Sequence, residues 1–319
     1  MCAVDTSRGG ASLTHQGLLY GCKEEFLASV VPVIREGLEC GDLVQIATTN
    51  RNAGWLRAAL DTDAGRVIVL ESSQCYRHPV RALATVHHTV QAASRGGQRL
   101  RLIGEPVWTA PTALESKEWA RYESLVNAAL AWAHAVLVCT YDVHVVDSAV
   151  VAEVARTHPE LVVNGAARPS PSYLDPAVFT DECDKRPLPE LPRSALNRRF
   201  DGAGQVATVR DVVRFYATQA GAAAQKAERF VQAVEEVVRN AIEYGGGSGV
   251  VRVWSDQRRM LCEVSDTGAG LRNPLDGHLP CGRSTPRGRR LWLARQLCDL
   301  VEVRTDLAGT TVRLHLTLS

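Results

Sequence analysis

The chain has 319 residues, of which 45% are hydrophobic and 22% charged, with a formal net charge of +1. That composition supports two ordinary domains, each with its own core, and offers no overall basic footprint for direct nucleic-acid binding. No apolar run reaches the roughly 18 residues needed to cross a bilayer, and the amino terminus MCAVDTSRGG lacks the apolar centre of a signal peptide, so a cytoplasmic protein with no membrane partner is expected.

Residues 1–178 alternate short apolar runs with helical periodicity. Strands are predicted at Leu18–Tyr20, Leu43–Ala47, Val67–Leu70, Leu100–Ile103 and Val136–Thr140, and helices at Glu24–Leu38, Pro79–Ala93 and Leu114–Ala131. Such alternation implies an α/β fold with a mainly parallel sheet covered on both faces. No G-x-x-x-x-G-K-[ST] loop occurs, so a RecA-like sheet here lacks the Walker A phosphate site. Ligands of α/β sheets gather beyond the carboxyl ends of strands, and polar residues are frequent there. His15, Tyr20, Glu105, Trp108, Glu123, Tyr141 and Asp142 form the candidate sensory pocket for a small molecule. Trp108 reads more readily as core, and His158, before Pro159, more readily as a helix-end residue. His87 and His88 are adjacent on a predicted helix and diverge by about 100°, so no metal is expected between them.

Residues 179–196 contain three prolines and read as a linker. Beyond it, Phe230, Val234, Val237, Val238 and Ala241 recur at steps of three and four and define a buried stripe. Arg229, Ala233, Glu236, Asn240 and Glu243 share another face, which projects Glu236 and Asn240 together. A carboxylate can take a proton from an attacking oxygen, and an amide carbonyl beside it can ligate Mg²⁺. The strand Met260–Asp266 then runs into Asp266-Thr267-Gly268-Ala269-Gly270, where glycines permit close approach of a ligand and Asp266 can accept from a purine amino group. Gly288 precedes an amphipathic helix within Pro286–Asp299, whose free N–H groups suit phosphate. Strands follow at Leu300–Thr305 and Thr310–Leu318, with Val312, Leu314, Leu316 and Leu318 alternating with polar residues.

These elements, from about residue 197 to 319, resemble the ATP-binding α/β sandwich of the GHKL superfamily, and within it the anti-sigma-factor serine kinases. The resemblance implies ATP and Mg²⁺ as cofactors. It makes Glu236 the general base, Asn240 the magnesium ligand and Asp266 the adenine acceptor, with Gly268 and Gly270 shaping the pocket. Gly288, Arg290 and Thr310 join the nucleotide-contacting set. The lid departs from the family pattern: where G-x-G-L would stand, the chain has Gly288-Arg289-Arg290-Leu291. Arg290 occupies a position where glycine's backbone freedom is usual, and either weakens nucleotide binding or pairs with phosphates, together with Arg287 and Arg289.

Histidine kinases share the superfamily but carry a phosphorylated His on a helical hairpin before the ATPase domain. Residues 180–196 have no His. The segments His15–Asp42, Arg101–Trp108, Arg121–Leu130 and Cys139–Val143 resemble the MEDS sensory domain, over about residues 13–178. Together the resemblances imply a sensor-linked anti-sigma factor, homodimeric through its ATPase domain, that holds a sigma factor and phosphorylates Ser or Thr of a STAS anti-anti-sigma partner. The alternative is an inactive module that sequesters its partner without phosphorylation. A repair or clamp ATPase fits less well, because such proteins carry a transducer domain after the GHKL fold. The nine cysteines, an odd number without C-x-x-C, fit thiols in a reducing compartment better than a metal cluster or disulfide framework.

Overall fold

The computed structural model describes residues 13–76, 78–106, 112–256, 258–271, 273–279 and 286–318. The chain divides into two compact units, residues 1–179 and 180–319. The first runs β1 (Thr14–Tyr20), α1 (Lys23–Cys40), β2 (Leu43–Thr48), α2 (Asn50–Leu60), β3 (Ile68–Glu71), α3 (Ser72–Cys75), α4 (Pro79–Arg95), β4 (Leu100–Gly104), α5 (Ala113–Ala129), β5 (Ala135–Asp142), α6 (Ser148–Thr157), β6 (Glu160–Val163) and β7 (Ala166–Pro169).

These strands form one sheet in the order β3-β2-β4-β5-β1-β6-β7, parallel except for the β6–β7 pair. All residues of β4 and β5 are buried, as expected of strands covered on both faces. Phe26, Val30 and Ile34 of α1 pack against Ile46, Ile103 and Val138 of the sheet. All five predicted strands and the three predicted helices are present, with ends shifted by a few residues: β3 begins at Ile68 rather than Val67, α5 ends at Ala129 rather than Ala131, and the other ends coincide or extend outward.

Helix α7 (Pro176–Lys185) occupies the first part of the predicted linker. Asp175 Oδ1 accepts from the Ala177 N–H at 2.8 Å and Pro176 begins the helix, a favourable start. The helix ends two residues before Pro187, which cannot continue it. Irregular structure is confined to residues 186–195.

The second unit contains β8 (Leu196–Asp201), α8 (Val206–Gln219), α9 (Ala224–Tyr244), β9 (Ser248–Ser255), β10 (Arg259–Asp266), α10 (Pro286–Leu297), β11 (Leu300–Asp306) and β12 (Gly309–Thr317). Its sheet is antiparallel throughout, in the order β11-β12-β10-β9-β8. Val264, Val312 and Val303 lie side by side on one face and join Phe230, Val234 and Val238 of α9 in a single core. The predicted stripe of α9 is thus buried, and Ala233, expected on the opposite stripe, has joined it. On the other sheet face the buried carboxylate of Glu263 accepts from Arg313 at 2.7 Å and Arg252 at 3.1 Å. This α/β sandwich is consistent with the GHKL-type ATPase architecture.

Candidate functional site

In the second unit, the site lies where the carboxyl end of α9 meets the end of β10. Asp266 pairs across the sheet with Thr310 of β12, and Thr310 with Thr305 of β11, so the three share the helix-facing side. The Asp266 Oδ1 accepts from the Gly268 N–H at 2.8 Å, which fixes the carboxylate at the turn. Gly245, just after α9, permits this approach: a Cβ there would lie 2.4 Å from Asp266 Cγ and 2.6 Å from the Ala241 carbonyl oxygen. Gly268 is equally constrained, its would-be Cβ 2.6 Å from Gly245 Cα. Gly270 has φ +75°, and a Cβ there would collide with Thr305.

Three buried polar atoms line this region without a hydrogen-bond partner among the described residues: Asn240 Oδ1, Thr305 Oγ1 and Thr310 Oγ1. Buried acceptors and hydroxyls ordinarily find partners, so such a group points to something that binds there. Asn240 Oδ1 is an uncommitted carbonyl oxygen on the face it shares with Glu236, which suits a hard divalent cation. The hydroxyls beside Asp266 suit the polar edge of a purine. These donors and acceptors fit a magnesium nucleotide.

Arg290 has protein partners that the sequence did not reveal. It sits within α10, outside the set of positive-φ residues, so replacing glycine with arginine has produced no backbone strain. Its guanidinium turns towards α9, donating to Glu236 Oε2 at 3.0 Å and also to Glu243 Oε1. Burial acts to lower its pKa, but the bonds to the two carboxylates outweigh this and raise it. Gly288 is buried in the first turn of α10, Arg289 is exposed, and the Arg287 side chain lies outside the described residues. A concavity of about 760 Å³ opens on the opposite sheet face, lined by Pro189, Arg199, Glu263, Arg304 and Arg313 among others, and reaches Asp266 and Thr267 at its edge. It receives neither Glu236 nor Asn240.

In the first unit, the expected sensory residues fall into two clusters rather than one pocket. Tyr20, Glu105 and Asp142 do meet at the carboxyl ends of the parallel strands. The Glu105 carboxylate accepts from Tyr20 at 2.7 Å, from the Thr49 N–H at 3.1 Å, from Asn52 Nδ2 at 2.9 and 3.0 Å, and from the Thr48 hydroxyl. Burial, then the Glu105 charge, raise the Tyr20 pKa, which keeps this hydroxyl a donor. Arg51 donates to Asp142 at 2.6 Å. Sequence reasoning missed Asn52, Thr48 and Arg51, which bear no local motif and are placed here by the turn from β2 into α2.

His15, Glu123 and Tyr141 meet elsewhere, deep between the sheet and helices α5 and α6, with Cys139 and His158. Tyr141 donates to Glu123 Oε1 at 2.9 Å. Burial alone would push the Glu123 carboxyl up, but the hydrogen bond with His15 and the His158, His15 and Tyr141 neighbours hold it below the ordinary range. Burial, then repulsion from His15, lowers His158 to about 3, so its ring is neutral. His158 is the C-cap of α6, as its place before proline suggested, yet its ring also enters this cluster. Trp108 lies outside the described residues. Among the described cysteines, Cys22, Cys75, Cys139 and Cys262 are free, whereas Cys40 is disulfide-bonded, which corrects the expectation of thiols throughout.

The chain thus joins a parallel α/β unit to an antiparallel sandwich with an orphaned amide oxygen on α9 and a glycine-cradled aspartate at the end of β10. Family models assign the two units: residues 14–159 match the MEDS family (MEthanogen/methylotroph, DcmR Sensory domain), and residues 201–316 match the histidine kinase-like ATPase domain. The chain therefore carries a MEDS domain fused to a histidine kinase-like ATPase domain. Among solved structures, it is similar to the RsbU and RsbW domains of Rv1364c from Mycobacterium tuberculosis, at 22% identity and a TM-score of 0.30. That match covers 39% of this chain and 32% of the other. No curated protein matches the chain. Among the described residues, no helix is long and apolar enough to cross a membrane.

Proposed function

We propose that this protein is a sensor-linked anti-sigma factor of the serine-kinase type. Its ATPase unit binds ATP with Mg²⁺ and phosphorylates Ser or Thr of a STAS anti-anti-sigma partner, which sets how much sigma factor is free. The observation that carries this reading is the orphaned Asn240 Oδ1, one helical turn from Glu236 on the helix whose end, at Gly245, packs against Asp266.

On this reading Asn240 holds the magnesium through its amide oxygen, Asp266 accepts from the adenine amino group, and Thr310 completes the polar floor. Magnesium, when bound, offsets the negative charge of the phosphate oxygens. Glu236 accepts the proton of the partner's hydroxyl. The added phosphate places charge on the partner's docking surface and weakens its hold on the kinase. A small molecule at the MEDS unit biases the exchange through a coupling free energy between the two sites. The absence of His and the three prolines in residues 180–196 support transfer to a separate protein rather than to a preceding hairpin.

The Arg290–Glu236 ion pair favours a second reading, in which the domain binds its partner without turnover. A carboxylate oxygen already holding a guanidinium has less capacity to receive a substrate proton. Incubation with Mg-ATP and STAS proteins separates the two: Glu236→Ala abolishes partner phosphorylation on the first reading, and on the second leaves regulation intact because no phosphorylation occurs in either protein.

A further inference from the structure

The buried cluster in the MEDS unit has the composition and geometry of a zinc site. His15, Glu123, Cys139 and His158 come from β1, α5, β5 and the residue after α6. One donor atom from each lies within 4.8 Å of all the others. Glu123 Oε2 is 3.5 Å from His15 Nε2, 3.4 Å from Cys139 Sγ and 3.6 Å from His158 Nε2, while His15 Nε2 and Cys139 Sγ are 3.4 Å apart. Zinc with Zn–N and Zn–O near 2.0–2.2 Å and Zn–S near 2.3 Å separates tetrahedral donors by about 3.3–3.6 Å. Four of the six separations therefore already have the length of a tetrahedral edge, and the remaining two both involve His158.

The surrounding hydrogen bonds aim the lone pairs inward. Asn127 Nδ2 donates to the carbonyl oxygens of Thr157, Ser124 and Glu123, at 2.8, 3.2 and 3.3 Å, so its Oδ1 must face His15. His15 Nδ1–H donates to that oxygen at 3.0 Å, which leaves Nε2 as the ring nitrogen turned to the centre, where a metal would take the place of any proton it shares with Glu123. His158 Nδ1–H donates to the Val154 carbonyl at 2.9 Å, and its Nε2 is buried without a hydrogen-bond partner. Tyr141 anchors the other oxygen of Glu123. Metal-bound histidines are usually oriented in this way, with the second ring nitrogen donating to a carbonyl or carboxylate. Gly17 makes room for the arrangement, because a Cβ there would lie 3.2 Å from His158 Cγ.

Charge completes the argument. Two neutral imidazoles, one carboxylate and one thiolate supply two negative charges, which a divalent cation neutralises; a buried site of zero net charge avoids the penalty of an unpaired ion. The mixed N, S and O set suits a borderline cation rather than Mg²⁺ or Ca²⁺. We propose that His15, Glu123, Cys139 and His158 bind one Zn²⁺ in a closed tetrahedral site that ties β1, β5, α5 and the end of α6 together. Binding forms four metal–ligand bonds and displaces the Cys139 thiol proton, with no change of oxidation state. This inference goes beyond the ATPase reading and stands or falls without it.

The test uses the full chain, freed of any metal-binding tag, and measures bound metal by elemental analysis before and after incubation with Zn²⁺ or Co²⁺ alone. The expected result is one equivalent per chain, and a cobalt derivative with the intense visible bands of tetrahedral coordination and a thiolate-to-cobalt charge-transfer band. Cys139→Ser should remove the charge-transfer band while Cys262→Ser retains it, and His158→Ala should weaken zinc at least about tenfold in chelator competition. No stoichiometric metal, a weak octahedral cobalt spectrum, or a thiolate band that survives Cys139→Ser would overturn the site. The wild-type cobalt spectrum decides the matter even where a substitution prevents folding.

Discussion

At the residue scale, the ATPase unit turns on a few atoms at the α9–β10 junction. Asp266 is fixed by the Gly268 N–H, and Asn240 Oδ1 is left without a partner. Asn240→Ala removes the only amide oxygen offered at this face by the Glu236–Asn240 pair, and should abolish magnesium-dependent tightening of nucleotide binding while leaving the far-ultraviolet dichroism unchanged. Arg290 is the residue whose role depends most on its partners. Its side chain is 26% exposed and that of Glu236 19%, so the pair is neither a solvated surface bridge nor a fully desolvated one. If Arg290 restrains Glu236, Arg290→Gly frees the base, and phosphoryl transfer measured under saturating Mg-ATP should rise about fivefold. An unchanged or lower rate would show that the guanidinium does not hold Glu236 back.

At the element scale, the end of α9 is built around the absence of a side chain at Gly245. A Cβ there would press into Asp266 and the Ala241 carbonyl, so Gly245→Ala should displace Asp266 and cost about 1–3 kcal/mol in denaturant unfolding of this unit, together with loss of nucleotide binding. Phe230, fully buried on the inner face of α9, belongs to the core itself, and Phe230→Ala should cost about 3–5 kcal/mol. Much at this scale was legible beforehand because its signals are local. Glu236 and Asn240 are one turn apart, the stripe from Phe230 to Ala241 repeats at helical spacing, and the strands of the first unit are short apolar runs. What could not be read is the pairing of residues distant in sequence. Arg290 meets Glu236 across 54 positions, and His15 meets Cys139 across 124. Neither pair carries a spacing motif; only the packing of α10 on α9 and the parallel register of β1 with β5 brings them together. For the same reason the six described sensory candidates, His15, Tyr20, Glu105, Glu123, Tyr141 and Asp142, could not be sorted into two clusters without the fold.

At the scale of the whole molecule, the two units have separate sheets and separate polar centres, so their ligands should act on different parts of a thermal unfolding curve. Mg-ADP at about 100 times its dissociation constant should stabilise the ATPase unit by about 2.7 kcal/mol, whereas any shift of the MEDS transition would report the coupling between the units. The central claim is that the α9–β10 junction binds a magnesium nucleotide despite the arginine in its lid. Titration calorimetry of the full chain with ADP and ATP, with and without Mg²⁺ and alongside Asp266→Asn, tests it most directly. The expected result is saturable, magnesium-assisted binding that Asp266→Asn weakens about 10- to 100-fold. No heat of binding at millimolar nucleotide, or binding indifferent to Asp266→Asn, would contradict the account and leave a protein that works by holding its partner alone.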